Sequence, residues 1–386
     1  MTITTSTGTT SADTAATETA AVGRPVAADT AETGGGRVVL KIGTTSLVTD
    51  GALDAAKLDR LCDAVRTAVE AGLAPVLVTS GAIAIGRTTH PELAVDGPHR
   101  IELPDLVRQQ VAAAMGQSVL YAAIQDGLAR HGLRTAQLLL TPADLIEPAG
   151  ADLARTVDAM LALGVVPVAN ENDALGVRNN DVLSALLAGF IGADLLLLLT
   201  NVPGLYDGNP ARDGAALIAD VPALTPALEA LAGDSSGAGT GGMRLKLAAC
   251  WIATFRGVRA VIADTADPAV VLDAWRGRGV GTVFRARRSA TPPAIGALWR
   301  AFRTPPAATL ACTPDGVAAL RRGEPVLAAH LASVAPGLFA GQVVELTDPA
   351  GRPLARGAAA HDAAQLTLDP TTVAVRDHVL ITEDQP

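Results

Sequence analysis

The regular alternation of short apolar strands with helices, from residue 37 to residue 275, most constrains the fold of this chain. Runs such as RVVLKI at 37–42, PVLVTS at 75–80 and DLLLLLT at 194–200 alternate with segments like AAKLDRLCDAVRTAVEAG at 55–72, whose apolar residues recur at helical spacing. Such alternation favours parallel strands covered by helices on both faces. Charged residues make up only 18% of the 386 residues, which agrees with a large buried sheet. The sequence therefore predicts an α/β fold, an αβα sandwich with a mainly parallel sheet.

Composition changes divide the chain into four parts. Residues 1–35 are rich in Thr, Ala and Ser, and we expect a disordered tail. Residues 36–288 carry the α/β pattern, and the proline-rich residues 289–305 predict a linker with one short helix. Residues 306–386 predict a small, mainly β domain, in which TPDGVAALRRG forms one short helix and DPAGRP closes a hairpin.

Charge and cysteine usage exclude several classes of protein. The net charge of −9 argues against a nucleic-acid-binding surface. Cys62, Cys250 and Cys312 are far apart and odd in number, which fits neither a disulfide framework nor a zinc site. The N-terminus lacks the pattern of a signal peptide, and the longest aliphatic run is too short to cross a bilayer. We therefore expect a cytoplasmic protein with no membrane partner and no protein-held metal site.

Polar or glycine-rich segments follow four of the predicted strands. They are KIGTTS, TSGAIAIG, NENDALGVRNND and TNVPGLYDGNP. In an open parallel sheet, ligands bind beyond the carboxyl ends of the strands, so these segments predict a ligand site. The alternative is ordinary loop chemistry, since turns favour Gly, Asn and Asp in any case.

A second glycine-rich element, GAGTGGMRLK at 237–246, predicts a phosphate clamp. It formally matches a dinucleotide-binding fingerprint, but it follows a loop where that motif requires a strand. It opens a helix with Lys246 one turn inside, and backbone N–H groups at a helix start bind phosphates. Lysine is scarce, with only Lys41, Lys57 and Lys246 in the chain. We expect Lys41 and Lys246 to share the phosphates of a nucleotide.

The stretches VLKIGTTSL, VTSGAIAIG, VPVANENDA, NNDVLSALLAG and GTGGMRLKLAA, in this order, resemble the amino acid kinase family, and the last part of the chain resembles a PUA domain. The resemblance covers roughly residues 37–384. It implies ATP-dependent phosphorylation of the γ-carboxylate of L-glutamate to L-glutamyl 5-phosphate, the first step of proline biosynthesis. It further implies ATP and Mg²⁺ as cofactors and a homo-oligomer. The chemistry is consistent, because a carboxylate with a pKa of about 4.3 is ionised at pH 7 and needs alignment but no base.

The resemblance also assigns roles to individual residues. It implies catalytic roles for Lys41 and Lys246 and substrate-binding roles for Ser80, Asp173 and Asn180. The residues that it implies for the nucleotide are Lys41, Thr200, Asn201, Thr240, Gly241, Gly242, Met243, Arg244, Leu245 and Lys246. Asp181 lies beside this set in the sequence, and on physical grounds we expect it to orient the two lysines as a counter-charge.

Three departures from the family pattern leave alternatives open. Asn179 replaces an acid in NND, the loop at 174–179 is shortened, and Thr200-Asn201 replaces a pair that ends in Asp. The alternatives are the same acyl-phosphate chemistry on a related carboxylic acid, or a non-catalytic regulatory homologue. The PUA-like part has five arginines and nine acids, so we expect a structural or regulatory role for it and no nucleic-acid partner.

Overall fold

The computed structural model of the protein describes residues 35–93, 102–146, 149–175, 179–210, 214–232, 242–265 and 269–382. The predicted disordered tail, residues 1–35, lies outside these ranges except for its last residue. Part of the shortened loop at 174–179 and two predicted nucleotide-binding residues, Thr240 and Gly241, also lie outside them.

The first part of the chain forms one large sheet and a small hairpin. Its strands are β1 (Arg37–Ile42), β2 (Val48–Thr49), β3 (Ala52–Leu53), β4 (Ala74–Val78), β5 (Arg134–Leu140), β6 (Val165–Glu171), β7 (Leu195–Thr200), β8 (Asp220–Val221), β9 (Arg259–Asp264) and β10 (Thr282–Phe284). Over the described ranges the large sheet has eight strands in the order β5-β6-β4-β1-β7-β9-β10-β8. All neighbours pair in parallel except β9 and β10. The predicted mainly parallel sheet is confirmed.

Helices cover both faces of this sheet, as the αβα prediction requires. They are α1 (Ala55–Glu70), α2 (Ala82–Thr89), α3 (Asp105–Ala129), α4 (Ala149–Ala162), α5 (Asn180–Phe190), α6 (Pro226–Ala230), α7 (Met243–Phe255), α8 (Val270–Arg276) and α9 (Ile295–Phe302). Short 3₁₀ turns occur at Thr44–Ser46, Pro91–Leu93, Pro142–Leu145 and Asp173–Leu175. Strand β1 shows how the layers form, because successive side chains of a strand point to opposite faces. Val39 packs with α5 and α7, whereas Val38 and Leu40 pack with α1 and α8.

A second, five-stranded sheet follows, with the strand order β11-β13-β14-β15-β12. Its elements are β11 (Ala308–Ala311), α10 (Pro314–Arg321), β12 (Val326–Leu327), a 3₁₀ turn (Ala328–His330), β13 (Val343–Thr347), β14 (Pro353–Ala359), α11 (Ala363–Leu368) and β15 (Val373–Leu380). The predicted helix and the β13–β14 hairpin are both present. This sheet is consistent with a PUA-like domain.

Helix α9 joins the two sheets. Leu298 and Ala301 are fully buried, and Phe302 is nearly so, in the same apolar core as α5 and α7. The helix also packs against β14 and β15 of the second sheet. The predicted short helix is therefore present, but it packs against the elements of both sheets. The boundaries at 288 and 305 stay a prediction.

Among the described residues, no helix combines the length and the apolar character that crossing a bilayer requires.

Candidate active site

The sheet order brings the four polar strand ends together. Strands β6, β4, β1 and β7 are neighbours and run parallel, so their carboxyl ends lie at one edge. The segments predicted to form a ligand site therefore border a single region of the surface.

At this edge the carboxylate of Asp181 lies between two ammonium groups. Its Oδ1 is 2.7 Å from the Nζ of Lys41, and its Oδ2 is 3.4 Å from the Nζ of Lys246. The side chains of Lys41, Asp181 and Lys246 are 7%, 2% and 14% exposed. Because Lys246 keeps the largest exposed fraction, the cluster faces solvent on its side.

Local structure explains why these three residues meet. Lys41 lies two residues after Val39 in β1, so both side chains point to the same face of the sheet. This is the face that α5 and α7 cover. Asp181 lies in the first turn of α5, where the side chain of Asn179 caps the helix by accepting a hydrogen bond from the Val182 N–H at 3.2 Å. Lys246 lies in the first turn of α7, which packs against α5. Three elements from different parts of the sequence thus place three charges together.

The charges of this cluster depend on one another. Burial would raise the pKa of Asp181, but the ammonium groups of Lys41 and Lys246 outweigh it and hold the pKa below its ordinary value. Burial lowers the pKa of Lys41, and Asp181 opposes this effect while Lys246 adds to it. With both lysines protonated and Asp181 ionised, the cluster carries one excess positive charge. It is therefore suited to binding a group with several negative charges, such as a polyphosphate.

Glu171 is a site residue that sequence reasoning missed. It ends β6, it is 4% exposed, and its Oε1 accepts a hydrogen bond from the Asn179 N–H at 2.6 Å. Burial raises the pKa of Glu171 to about 7, with Asp173 adding to the rise and Lys41 opposing it. The only signal in the sequence is an acid two residues after the predicted end of a buried strand.

The three predicted substrate residues lie on two adjacent loops. The Ser80 hydroxyl is 2.8 Å from the Thr44 hydroxyl, which joins the loop after β4 to the loop after β1. Asp173 lies in the turn after β6. Asn180 begins α5, and its Oδ1 accepts a hydrogen bond from the Glu171 N–H at 3.1 Å.

One glycine makes the loop after β4 possible. Gly81 has φ +114°, a left-handed conformation that favours glycine, and it caps α2. A Cβ at this position would also lie 3.2 Å from the Val48 side chain. The turn therefore depends on Gly81.

The predicted nucleotide residues are described only in part. Thr200 and Asn201 lie at the end of β7, where Thr200 is buried and Asn201 is exposed. Gly242 precedes α7, and Met243, Arg244, Leu245 and Lys246 form its first turn. Thr240 and Gly241 lie outside the described residues. The structure thus places Lys246 beside Asp181 and Lys41. Because Thr240 and Gly241 are not described, it does not place the whole predicted segment there.

Lys57, the third lysine, supports the same edge of the sheet. Its ammonium group donates to the backbone carbonyls of Thr45 and Val48 at 2.8 and 3.2 Å, and to the Thr49 hydroxyl at 2.9 Å. It therefore holds the loop after β1 in place. All three lysines of the chain act at this edge.

Comparison with known proteins agrees with this geometry. The sequence profile of the amino acid kinase family matches residues 36–264, which include the large sheet as far as β9 and the lysine–aspartate cluster. The chain belongs to the amino acid kinase family.

Within this family the chain is similar to glutamate 5-kinases from several bacteria. It is 41% identical to the glutamate 5-kinase of Frankia casuarinae over 340 residues, which is 86% of this chain and 88% of that protein. It is 38% identical to that of Streptomyces avermitilis over 86% of this chain and 88% of that protein. It is 36% identical to that of Trichlorobacter lovleyi over 86% of this chain and 89% of that protein. The similarity therefore extends into the second sheet.

Proposed function

We propose that this protein transfers the γ-phosphoryl group of ATP to the γ-carboxylate of L-glutamate, forming L-glutamyl 5-phosphate, the first intermediate of proline biosynthesis. The observation that carries the proposal is the buried Lys41–Asp181–Lys246 cluster at the carboxyl edge of the sheet. The names of the curated relatives support glutamate as the substrate.

In the proposed reaction the residues of the chain position the reactants and stabilise charge. A γ-carboxylate oxygen forms a bond to the γ-phosphorus, the bond from that phosphorus to the bridging oxygen breaks, and ADP leaves. No proton needs to move, since the carboxylate is already ionised at pH 7. The Lys41 and Lys246 ammonium groups would neutralise the charge on the transferring group and the departing ADP. Asp181 would keep both lysines in position.

Magnesium would enter with the nucleotide as its Mg²⁺ complex. The described residues contain no group of three or more His, Cys, Asp or Glu that could hold a metal ion. Mg²⁺ is usually held by substrate phosphates, water and one or two carboxylates.

Glutamate would bind through the loops after β4 and β6. Ser80 and Asn180 offer hydrogen-bonding groups, and Asp173 offers a carboxylate for the substrate ammonium group. Glu171 supplies a second acid, which is buried, beside the half-buried Asp173. Asn179, which replaces an acid of the family pattern, supports the second candidate, the same transfer to a related carboxylic acid.

A hydroxamate assay separates these candidates. The purified protein is incubated with MgATP and hydroxylamine, and with L-glutamate, L-aspartate, L-2-aminoadipate or glutarate. We expect hydroxamate and equimolar ADP with L-glutamate, and little with glutarate, which lacks the amine. Lys246→Ala, purified identically, controls for contaminating host kinases. Turnover only with another acid would replace glutamate by that acid, and no ADP with any acid would favour a regulatory homologue.

Three further proposals rest on the resemblance and the composition. The chain would act as a homo-oligomer in the cytoplasm. Residues 36–288 and 306–386 would be its two domains, with 289–305 between them. The net charge of −9 supports the absence of a nucleic-acid partner, and the PUA-like domain would then have a structural or regulatory role.

A further inference from the structure

A buried ionic network joins the second sheet to the helix that carries Lys246. Arg356 of β14 is 6% exposed, and its guanidinium group lies 2.8 Å from Glu229 of α6 and 2.8 Å from Glu345 of β13. Glu229 is 8% exposed, and it also accepts a hydrogen bond from the Trp251 Nε1–H at 3.0 Å. Since Trp251 lies on α7, the network runs from the second sheet through α6 to the active-site helix.

Trp251 is closely packed. Its ring is fully buried and stacks on Phe255 and Phe302, with ring centroids 5.5 and 5.6 Å apart. The Arg287 guanidinium group lies over the same ring, 4.8 Å from its centroid. A displacement of Trp251 would therefore move α7 as a body.

The network reaches the first turn of α7. A cavity of about 10 Å³ lies between the two sheets, and it is lined by Glu229, Arg356, Arg244 and Leu245 among others. Arg244 and Leu245 directly precede Lys246 in that turn. Arg356 and the first turn of α7 therefore border the same small gap.

We propose that Arg356, a residue of the second sheet, is a positioning residue for phosphoryl transfer at the candidate active site on the large sheet. Arg356 holds Glu229 against Trp251, and this contact fixes α7. The position of α7 sets how closely the Lys246 ammonium group approaches Asp181. The inference rests on the proposed function for its kinetic consequence, but the network itself does not depend on which acid is phosphorylated.

The test variant is the double substitution Glu229→Gln with Arg356→Met. It breaks the link between the second sheet and α6, and it leaves no unpaired charge at either substituted position, which would destabilise the fold. Glu345 loses its partner, but its side chain is 16% exposed and can be hydrated. The matched control is Glu345→Gln, which removes the charge that Arg356 pairs with inside the second sheet and keeps the ion pair with Glu229. Arg376→Met, an exposed position on β15, controls for loss of an arginine.

We expect kcat of the double variant to fall roughly tenfold, since misplacing a catalytic group by about 1 Å costs up to about a hundredfold. The KM for L-glutamate should stay within about twofold, because Ser80, Asp173 and Asn180 do not lie on α7. Both controls should keep kcat. A network that only stabilises the fold would lower the unfolding temperature of the Glu345→Gln and double variants and leave kcat of both unchanged, which would overturn the proposal. Equal losses of kcat in the Glu345→Gln variant and the double variant would also overturn the proposal.

One replacement variant and one binding measurement keep the test decisive. If the double variant does not fold, Glu229→Met alone replaces it, because it removes the acceptor for both Arg356 and Trp251 while Arg356 keeps Glu345 as its counter-ion. If the wild-type protein does not turn over glutamate, the proposed function fails. Calorimetric titration with MgADP then tests the inference by itself, with weaker binding expected in the double variant than in Glu345→Gln. Equal affinities in these two variants would refute the positioning role.

Discussion

Replacing Asp181 by Asn removes the carboxylate charge between Lys41 and Lys246 and keeps the size of the side chain. At an effective dielectric constant of about 20, the attraction is about 6 kcal/mol for the pair at 2.7 Å and about 5 kcal/mol for the pair at 3.4 Å. Desolvation offsets much of this gain. Breaking a buried pair typically costs about 3–5 kcal/mol, because the remaining charge stays buried without compensation. Lys41, 7% exposed, cannot be hydrated where it lies.

The assay is thermal unfolding with and without a non-hydrolysable MgATP analogue. Without nucleotide, Asp181→Asn should unfold about 10 °C below the wild-type protein, since about 1 kcal/mol shifts the midpoint by about 2–4 °C in a domain of this size. The analogue should raise the midpoint of the variant more than that of the wild type, because its phosphates replace the missing counter-charge. In the same preparation, kcat should fall by orders of magnitude, since the lysines are no longer held in position.

Asp158→Asn is the matched control. Asp158 pairs with Arg37 at 2.7 Å, but its side chain is 54% exposed, so its loss should cost no more than about 1 kcal/mol. The reasoning is refuted if Asp181→Asn without nucleotide unfolds within about 2 °C of the wild type. A nucleotide-induced shift no larger than that of the wild type would refute the role of the phosphates as a replacement charge.

Three further substitutions test other parts of the site. Lys246→Ala should lower kcat by about a hundredfold to a thousandfold, as loss of one charge-stabilising group does, while the fold persists because Asp181 keeps Lys41 as a partner; near-normal ADP release would contradict this. Asp173→Ala should raise the KM for L-glutamate about tenfold and leave the KM for ATP unchanged, and an unchanged KM for glutamate would remove Asp173 from the substrate site. Glu171→Gln should flatten the pH dependence of stability. The pKa of Glu171 is raised from 4.5 to about 7, so its contribution is complete below about pH 4.5 and is lost as the pH rises through about 7, by up to about 3 kcal/mol. Unfolding temperatures that change in parallel for wild type and variant between pH 5 and 8 would show that Glu171 does not titrate in this window.

Local sequence patterns predicted most of the large sheet. Strand β1 was predicted at 37–42 and is found at Arg37–Ile42, because a β-branched run between glycines permits few other structures. The two short strands β8 and β10 were not predicted. They have two and three residues. Strand β8 forms by pairing with β10, and β10 also pairs with β9, so no local pattern predicts them.

The site was predictable where residue type and strand ends coincide. The scarcity of lysine, together with a strand end and a glycine-rich helix start, indicates Lys41 and Lys246, and the position of Asp181 next to Asn180 indicates a counter-charge for them. Strand β6 was predicted to end at Ala169, two residues before its observed end at Glu171. Polar residues rarely extend a buried strand, but pairing with β5 continues through Glu171 and buries its side chain. Glu229 and Arg356 lie 127 positions apart in the sequence, and no local pattern predicts their contact.

Asn179 shows how a departure from the family pattern affects the site. Its side chain caps α5, and its N–H donates to Glu171. Asn and Asp cap helices about equally well, so an amide in place of the family's acid preserves the start of α5 and with it the position of Asp181. What changes is the charge, because one anion is lost beside the place where a substrate amine would bind. Glu171 and Asp173 are the acids that remain on this loop in the described residues, and with a pKa of about 7 Glu171 is only partly ionised near neutrality. In the proposed reaction, recognition of the amine would therefore depend chiefly on Asp173, which is why its substitution should act on KM for the amino acid.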